Sequence, residues 1–203
     1  MADGRDRRTE YAITGPRLYC PNGVNFLKPK RLFLLRHAKS SWANAFVDDF
    51  ARDLNKRGRK AAEALAKWLK PRDFTPDLVL CSAALRTRQT LALVQDGFGS
   101  APELSIERRL YLAEAEAMLA RLAELDNRDP LPQAVMIVAH NPGLEDIALR
   151  LIPPAETTAR ARIEAKFPTC AFVALRFACE RWAQIGPARA TLDAYRIPAD
   201  DAD

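Results

Sequence analysis

Short runs of consecutive apolar residues recur along the chain, and each stops at a turn-forming or capping residue. The four clearest runs are Leu32–Leu35, Leu78–Cys81, Ala134–Ala139 and Ala171–Phe177, the last interrupted only by Arg176. A strand that is covered on both faces cannot alternate between apolar and polar residues, so these runs predict buried strands of a parallel sheet. Two weaker segments, Leu104–Glu107 and Trp182–Ile185, are predicted as a further strand and as an edge strand.

Apolar residues at helical spacing fill the segments between these strands. The predicted helices cover Leu54–Lys70, the segment from Ser82 to about Val94, Glu114–Leu125, and the segment from Pro142 to Ile152. Asn55, Ser82 and Asn141 stand where side chains cap helix starts, Pro142 suits a first helical position, and Pro71 ends the first helix. Gly58 weakens that helix's first turn, and residues 155–168 are predicted as a loop.

The alternation of strands and helices predicts an α/β fold, a three-layer α/β/α sandwich with a mostly parallel central sheet. The connections are short, which leaves no room for a large helical lid. Residues 30–203 are predicted to form one domain. Residues 1–29 form an N-terminal extension without the continuous apolar segment of a secretory signal. A flexible extension, a genuine arm and a start codon placed too early are all compatible with it.

Charge and composition exclude several classes of partner. The formal net charge is +5, but residues 1–30 hold six Lys or Arg and three Asp or Glu, a net of +3 that leaves only +2 elsewhere. Without a basic stripe interleaved with aromatic residues, nucleic-acid binding is not expected. The longest apolar runs are strand-sized, far below the roughly 20 residues that span a membrane. The sequence does not determine the oligomeric state, and a monomer is favoured.

The four cysteines, Cys20, Cys81, Cys170 and Cys179, form no CxxC pair and have no histidine at metal-ligand spacing. Zinc is therefore not expected. We interpret them as small core thiols, which the cytoplasm would keep reduced. The predicted location is accordingly cytoplasmic.

The candidate chemistry lies where strands end. The only two histidines, His37 and His140, each follow a buried run, and ligands of open α/β sheets bind at the carboxyl ends of the strands. Arg36 precedes His37, and Arg86 stands in the first turn of a helix, where an arginine suits a bound anion. Positive neighbours would lower the pKa of His37 and keep one ring nitrogen nucleophilic. A single histidine at a strand end is more often structural, but a second one at a matching position favours a site.

Three blocks resemble the signature of the histidine phosphatase superfamily: Arg36–Ser40, Ser82–Thr90 and Ala139–Gly143. The resemblance spans roughly residues 31 to 152 and is closest to the SixA-type phosphohistidine phosphatase branch, whose members lack a helical lid. Residues 49–58 also resemble that branch.

The resemblance implies a role for each matching residue. His37 would be the nucleophile that forms a phosphohistidine intermediate, and Arg36 and Arg86 would bind phosphoryl oxygens. His140 would stabilise the transferring group, and Ser40 and Asn141 would add phosphate contacts. No metal or cofactor is implied, since two guanidiniums and an imidazolium can neutralise the phosphoryl charge.

The departures from the family pattern narrow the substrate. Ala38 and Ala43 replace a glycine and an asparagine of the mutase-like branch, and Leu110–Leu112 stands where that branch has its acidic proton donor. Mutase activity is therefore not expected. Alkoxide leaving groups need a proton, typically worth about 100-fold to 10,000-fold in rate, whereas an imidazole leaving group can arrive protonated. Asp49 is the nearest substitute donor, unless it is a loop residue that pairs with Lys56 or Arg57.

The leading hypothesis is a metal-independent phosphohydrolase that acts through a phosphoenzyme on phosphohistidine in proteins. Two alternatives stay open. The first is a small-molecule phosphomonoester phosphatase of the same fold, and the second is a non-catalytic regulatory module that only binds phosphate. The expected partner is thus a phosphorylated protein or a small phosphate ester.

Overall fold

The structure is a computed structural model that describes residues 10–12, 28–42 and 46–198. One mixed sheet forms its centre, with the strands β1 Glu10–Ala12, β2 Lys30–Arg36, β3 Leu78–Ser82, β4 Glu103–Glu107, β5 Ala134–Ala139, β6 Phe172–Phe177 and β7 Ala190–Arg196. The strand order is β1-β7-β6-β2-β5-β3-β4. Strand β2 pairs in parallel with β5, β5 with β3, and β3 with β4. The other pairs, β2 with β6, β6 with β7 and β7 with β1, are antiparallel.

Helices cover both faces of this sheet. They are α1 Lys56–Leu69, α2 Leu85–Val94, α3 Ala115–Ala123, α4 Gly143–Leu151 and α5 Thr157–Ala165. Single-turn 3-10 helices occupy Asp49–Ala51, Gln95–Gly97, Arg108–Leu110, Glu124–Asn127, Trp182–Gln184 and Pro187–Arg189. Leu32 and Leu34 of β2 pack into a core with α3 and α4, while Phe33 and Leu35 pack into a second core with α1 and α2. The predicted three-layer sandwich is confirmed, and the two cores explain the uninterrupted apolar run.

Helix α1 is locked to the loop that follows β2. The Asn55 side chain accepts a hydrogen bond from the Gly58 N–H at 2.8 Å, as the predicted cap requires, and the helix ends two residues before Pro71. A Cβ at Gly58 would lie only 2.2 Å from the Lys39 carbonyl oxygen. Glycine therefore permits a close backbone approach that fixes the loop after β2 against the helix.

The prediction for residues 155–168 was wrong, because α5 occupies nine of them. Its sequence, Thr-Thr-Ala-Arg-Ala-Arg-Ile-Glu-Ala, has no apolar stripe, and only Ile163 is buried. The predicted edge strand Trp182–Ile185 was also wrong, since a 3-10 helix begins at Trp182. The Asp126 carboxylate accepts from the backbone N–H of Trp182 at 2.7 Å, and the strand that pairs with β6 is β7.

Two predicted caps have other roles. Helix α2 begins at Leu85 with Ala84 at the cap position and no side-chain cap, while the Ser82 hydroxyl contacts a histidine. Helix α4 begins at Gly143, so Pro142 stands before the helix and Asn141 does not cap it.

The connection between β2 and α1 holds only the single-turn helix Asp49–Ala51 among its described residues, which agrees with the predicted absence of a large lid. In the predicted extension, Glu10–Ala12 forms β1; Cys20 and Ala43 lie outside the described residues. Cys81, Cys170 and Cys179 are buried free thiols. No helix within the described ranges is long and apolar enough to cross a membrane.

Candidate active site

Two neighbouring strands bring the histidines together. Strands β2 and β5 pair in parallel with Arg36 opposite Ala139, so His37 and His140 follow at the same edge of the sheet. The backbone N–H of His37 donates to the Ala139 carbonyl oxygen at 3.1 Å. The two ring centroids lie 5.2 Å apart.

His37 is held with a lone pair on one defined nitrogen. Its Nδ1 lies 2.8 Å from the Ala38 carbonyl oxygen, which can only accept, so Nδ1 carries the hydrogen and Nε2 does not. The residue is 8% exposed. Burial, followed by the charges of Arg86 and Arg36, lowers the pKa of His37 to about 4. The imidazole is therefore uncharged, although burial, rather than the positive neighbours expected from the sequence, is the main cause.

His140 is also neutral. Its Nδ1 lies 3.2 Å from Arg86 Nη2, a donor, so Nδ1 accepts and Nε2–H donates to the Ser82 hydroxyl at 2.8 Å. Burial, then the proximity of the second imidazole, His37, and the charge of Arg86, lowers the pKa of His140 to about 3. The structure thus holds an imidazole here, where the resemblance implied an imidazolium.

Arg86 connects the histidines to the loop before α1. Its guanidinium is buried, with 4% of the residue exposed, and it donates to both the backbone oxygen and the carboxylate of Asp49, the latter at 2.9 Å. Arg36 donates to the Phe167 carbonyl oxygen. The Arg86 guanidinium, which is predicted to bind phosphoryl oxygens, therefore already holds the carboxylate of Asp49 from its own chain.

The Asp49 carboxylate has three donors around it. The Tyr111 hydroxyl donates to it at 2.7 Å, Arg86 at 2.9 Å and Arg52 at 3.1 Å. The Tyr111 hydrogen bond, then Arg86 and Arg52, holds the pKa of Asp49 below its ordinary value. The carboxylate is ionised, and these three described residues take the place of Lys56 or Arg57, the pairing considered from the sequence.

Ser40 and Asn141 differ in their placement. The Ser40 hydroxyl lines the cleft and accepts from Arg52 Nη2 at 3.2 Å. The Asn141 Nδ2 donates to Glu145 at 2.8 Å and to the Phe167 carbonyl at 3.2 Å. Asn141, like His140, is not among the described residues that line the cleft. His140 is joined to the cleft through Arg86, whereas the Asn141 side chain contacts Glu145 and Phe167.

Three residues of this site escaped the sequence analysis. The Tyr111 ring packs edge-on against His140 with centroids 5.4 Å apart, and Arg52 joins Asp49 to Ser40. Thr90 accepts from the Ala38 N–H at 2.9 Å and donates to the Arg86 carbonyl. Tyr111 lies in Leu110–Leu112 and Arg52 lies in residues 49–58, two segments that the family comparison of the sequence already named. The signal that could have found them was a polar side chain in each segment.

The site opens into a cleft of about 410 Å³. Five cationic side chains line it: Arg36, Lys39, Arg52, Arg86 and Lys166. Asp49 is the one carboxylate among its described lining residues, so the cleft suits an anion with several charges. The part of the chain that the structure describes contains no group of three or more His, Cys, Asp or Glu side chains placed to hold a metal ion.

A buried uncharged imidazole beside two guanidiniums, at the carboxyl ends of the parallel strands, suits the binding of a phosphoryl group and offers a nitrogen nucleophile. The model of the histidine phosphatase superfamily (branch 1) matches residues 32–117. An uncharacterized protein of Mycobacterium leprae is 31% identical over 168 residues, 81% of this chain and 99% of that protein.

Two solved structures share the fold. A protein assigned as the phosphohistidine phosphatase SixA of Agrobacterium tumefaciens is 32% identical with a TM-score of 0.69, over 84% of this chain and 99% of that one. A protein with the same assignment from Nakamurella multipartitia is 27% identical with a TM-score of 0.70, over 84% and 97%. The chain belongs to the histidine phosphatase superfamily, and it is a phosphatase. The predicted resemblance to this superfamily is thereby confirmed.

Proposed function

We propose that this phosphatase hydrolyses phosphohistidine on proteins through a phosphohistidine intermediate on His37, without a metal. The observation that carries the proposal is the hydrogen bond from His37 Nδ1 to the Ala38 carbonyl oxygen at 2.8 Å. That bond leaves Nε2 with its lone pair, and burial keeps the ring uncharged. The nucleophile is thus prepared before the substrate arrives.

The reaction has two steps. In the first, His37 Nε2 attacks phosphorus, a new P–N bond forms, and the bond to the substrate imidazole breaks with its electron pair going to that ring. In the second, water attacks the phosphoenzyme, releases inorganic phosphate and returns His37 to its starting state. Arg36 and Arg86 bind the equatorial oxygens in both steps, and Ser40 offers a further contact from the cleft wall.

His140 completes the pocket in this proposal, next to the group in transfer. Its ring is held by Ser82 on one nitrogen and by Arg86 on the other. When Arg86 turns to a phosphoryl group, His140 Nδ1 loses its donor and gains an anionic neighbour, which favours protonation. Asn141 acts behind the site, where it contacts Glu145 and Phe167.

The proposal gives Asp49 two roles, one before the substrate binds and one after. In the free enzyme its carboxylate occupies the Arg86 donors that a phosphoryl group needs, so substrate has to displace it. A carboxylate beside a bound phosphoryl dianion has a raised pKa, and Asp49 then becomes a candidate proton donor. An imidazole leaving group needs this proton less than an alkoxide does, which favours phosphohistidine as the substrate.

A small-molecule phosphatase is the second candidate. The cleft volume of about 410 Å³ falls within the roughly 300–1,000 Å³ of small-molecule pockets, so a small phosphate ester would also fit. A regulatory module that only binds phosphate is the third, although an idle module gives no reason for the arrangement at His37. We also propose a cytoplasmic location, in keeping with three buried thiols that are not paired.

The test compares substrates under conditions that exclude divalent metals. Histidine-containing phosphotransfer domains, phosphorylated on histidine, are incubated with the protein and a chelator beside a panel of sugar phosphates and para-nitrophenyl phosphate. We expect the highest kcat/KM with the phosphoproteins and no loss on chelation. Equal or better turnover of a sugar phosphate would overturn the assignment in favour of the small-molecule enzyme. The absence of any turnover would favour the binding module.

A further inference from the structure

Two large aromatic side chains stand exposed on the loop between β2 and α1, part of which lines the cleft. Trp42, which lines the cleft, is 81% exposed, and Phe46 is 98% exposed. Such residues are usually covered in a folded protein, and exposed apolar groups rimmed by polar ones mark interaction sites. Trp and Phe are also enriched at the centres of protein interfaces.

Trp42 is held in place rather than merely exposed. The Arg52 guanidinium lies 3.2 Å from the centroid of the Trp42 ring. Arg52 itself is buried, and it donates to the Ser41 carbonyl at 3.0 Å and to Asp49 at 3.1 Å. An aromatic group that is already oriented loses little conformational freedom when a partner covers it, which favours binding.

The charge of the cleft beside Trp42 is positive. Lys39 and Lys166 are exposed and line the same cleft as Trp42. Asp49, the carboxylate among the described lining residues, is engaged by Arg86 and Arg52. The surface therefore complements an acidic partner, and such complementarity raises association rates and selects against basic surfaces.

We propose that Lys39, Trp42, Phe46 and Lys166 form a docking rim for an acidic protein surface that carries the phosphohistidine. This inference rests on the proposed function and adds to it the surface that selects a protein substrate. Burying a Trp and a Phe removes on the order of 150–250 Å² for each residue, which a macromolecule can supply. A protein is favoured over a membrane or a nucleic acid because, in the proposed function, the phosphoryl group that enters the cleft is carried by a protein.

The experiment measures kcat/KM on two substrates with the same reacting bond. One is a phosphotransfer domain phosphorylated on histidine, and the other is free phosphohistidine, which fits inside the cleft. Phe46→Ser is expected to lower kcat/KM for the phosphoprotein by about 10-fold to 30-fold, the range for an aromatic interface residue. Free phosphohistidine should change by less than about twofold. Leu104→Ser, which removes an exposed apolar side chain from β4, is the matched control and should change neither.

Salt gives a second readout. Raising the ionic strength should lower kcat/KM for the phosphoprotein more steeply than for free phosphohistidine, since only the former meets Lys39 and Lys166 over a wide surface.

Three results would overturn the proposed docking rim. Unchanged phosphoprotein kinetics in Phe46→Ser and in a second variant, Trp42→Ala, would remove the docking role while leaving the proposed function intact. A parallel fall with both substrates would mean that these residues maintain the site. Failure of the parent protein to hydrolyse any phosphoprotein while it hydrolyses small esters would overturn the rim and the proposed function together.

Discussion

The two sides of the active site are built by different means. Strands β2 and β5, whose residues from Leu32 to Leu35 and from Ala134 to Ala139 are almost completely buried, fix the histidine side. The other side is the loop between β2 and α1, which presents Asp49 with 46% of its side chain exposed. His37, the proposed nucleophile, is thus held by a sheet that cannot shift without disrupting two cores. Asp49, which occupies the donors of Arg86, is held by an exposed loop segment.

Arg86 joins the two sides, so its removal should have the largest effect on this comparison. We expect Arg86→Ala to lower kcat/KM by about 1,000-fold, since it deletes a donor aimed at the charge that develops in the transition state. Arg88→Ala is the matched control because Arg88 is exposed on the same helix. A loss of less than about tenfold in Arg86→Ala, measured by steady-state kinetics, would separate Arg86 from the chemistry.

The histidine side should lose stability in acid. The pKa of His37 falls from its ordinary 6.5 to about 4 on folding, so the unfolded chain binds the proton more readily between these values. The contribution of the neutral His37 to the free energy of unfolding is therefore fully present above pH 6.5. It is lost as the pH falls toward 4, and the loss is on the order of 3 kcal/mol. Urea unfolding at pH 7 and pH 4.5 measures it. His37→Gln should lose less stability over this interval; an equal loss would assign the effect to other groups.

Gly58 anchors the loop side to helix α1. A Cβ there would clash with the Lys39 backbone, so Gly58→Ala should destabilise the protein by about 1–3 kcal/mol. Gly186→Ala is the control, since nothing lies within 4 Å of its added Cβ. Urea unfolding measures both variants, and equal stability for the two would show that the loop after β2 adapts freely.

The loop side should respond most mildly. Removing the Asp49 charge frees the Arg86 donors, and we expect Asp49→Asn to tighten inhibition by inorganic phosphate by about 2-fold to 5-fold, the range for a half-exposed ion pair. In the same variant, kcat should fall more for alkyl phosphates than for phosphohistidine. Unchanged inhibition would contradict displacement of Asp49 by phosphate. An equal fall in kcat on both substrates would contradict its part as a proton donor.

This contrast also explains what could be predicted from the sequence. Each strand end is encoded locally, by an apolar run that stops at a polar residue, so His37 and His140 could be placed at one edge. The loop side depends on partners far apart in the chain, because Asp49 meets Arg86 37 residues later and Tyr111 62 residues later. Helix α5 escaped prediction for another reason, since only Ile163 of its nine residues is buried.

The central claim is that the uncharged His37 attacks phosphorus directly. The most direct test is to mix the protein with a phosphotransfer domain carrying labelled phosphohistidine, stop the reaction in alkali within one turnover, and locate the label. We predict an acid-labile, alkali-stable phosphate on His37, which is absent from a His37→Ala variant that has also lost turnover. A His37→Ala variant as active as the parent, or a label on another residue, would contradict the claim.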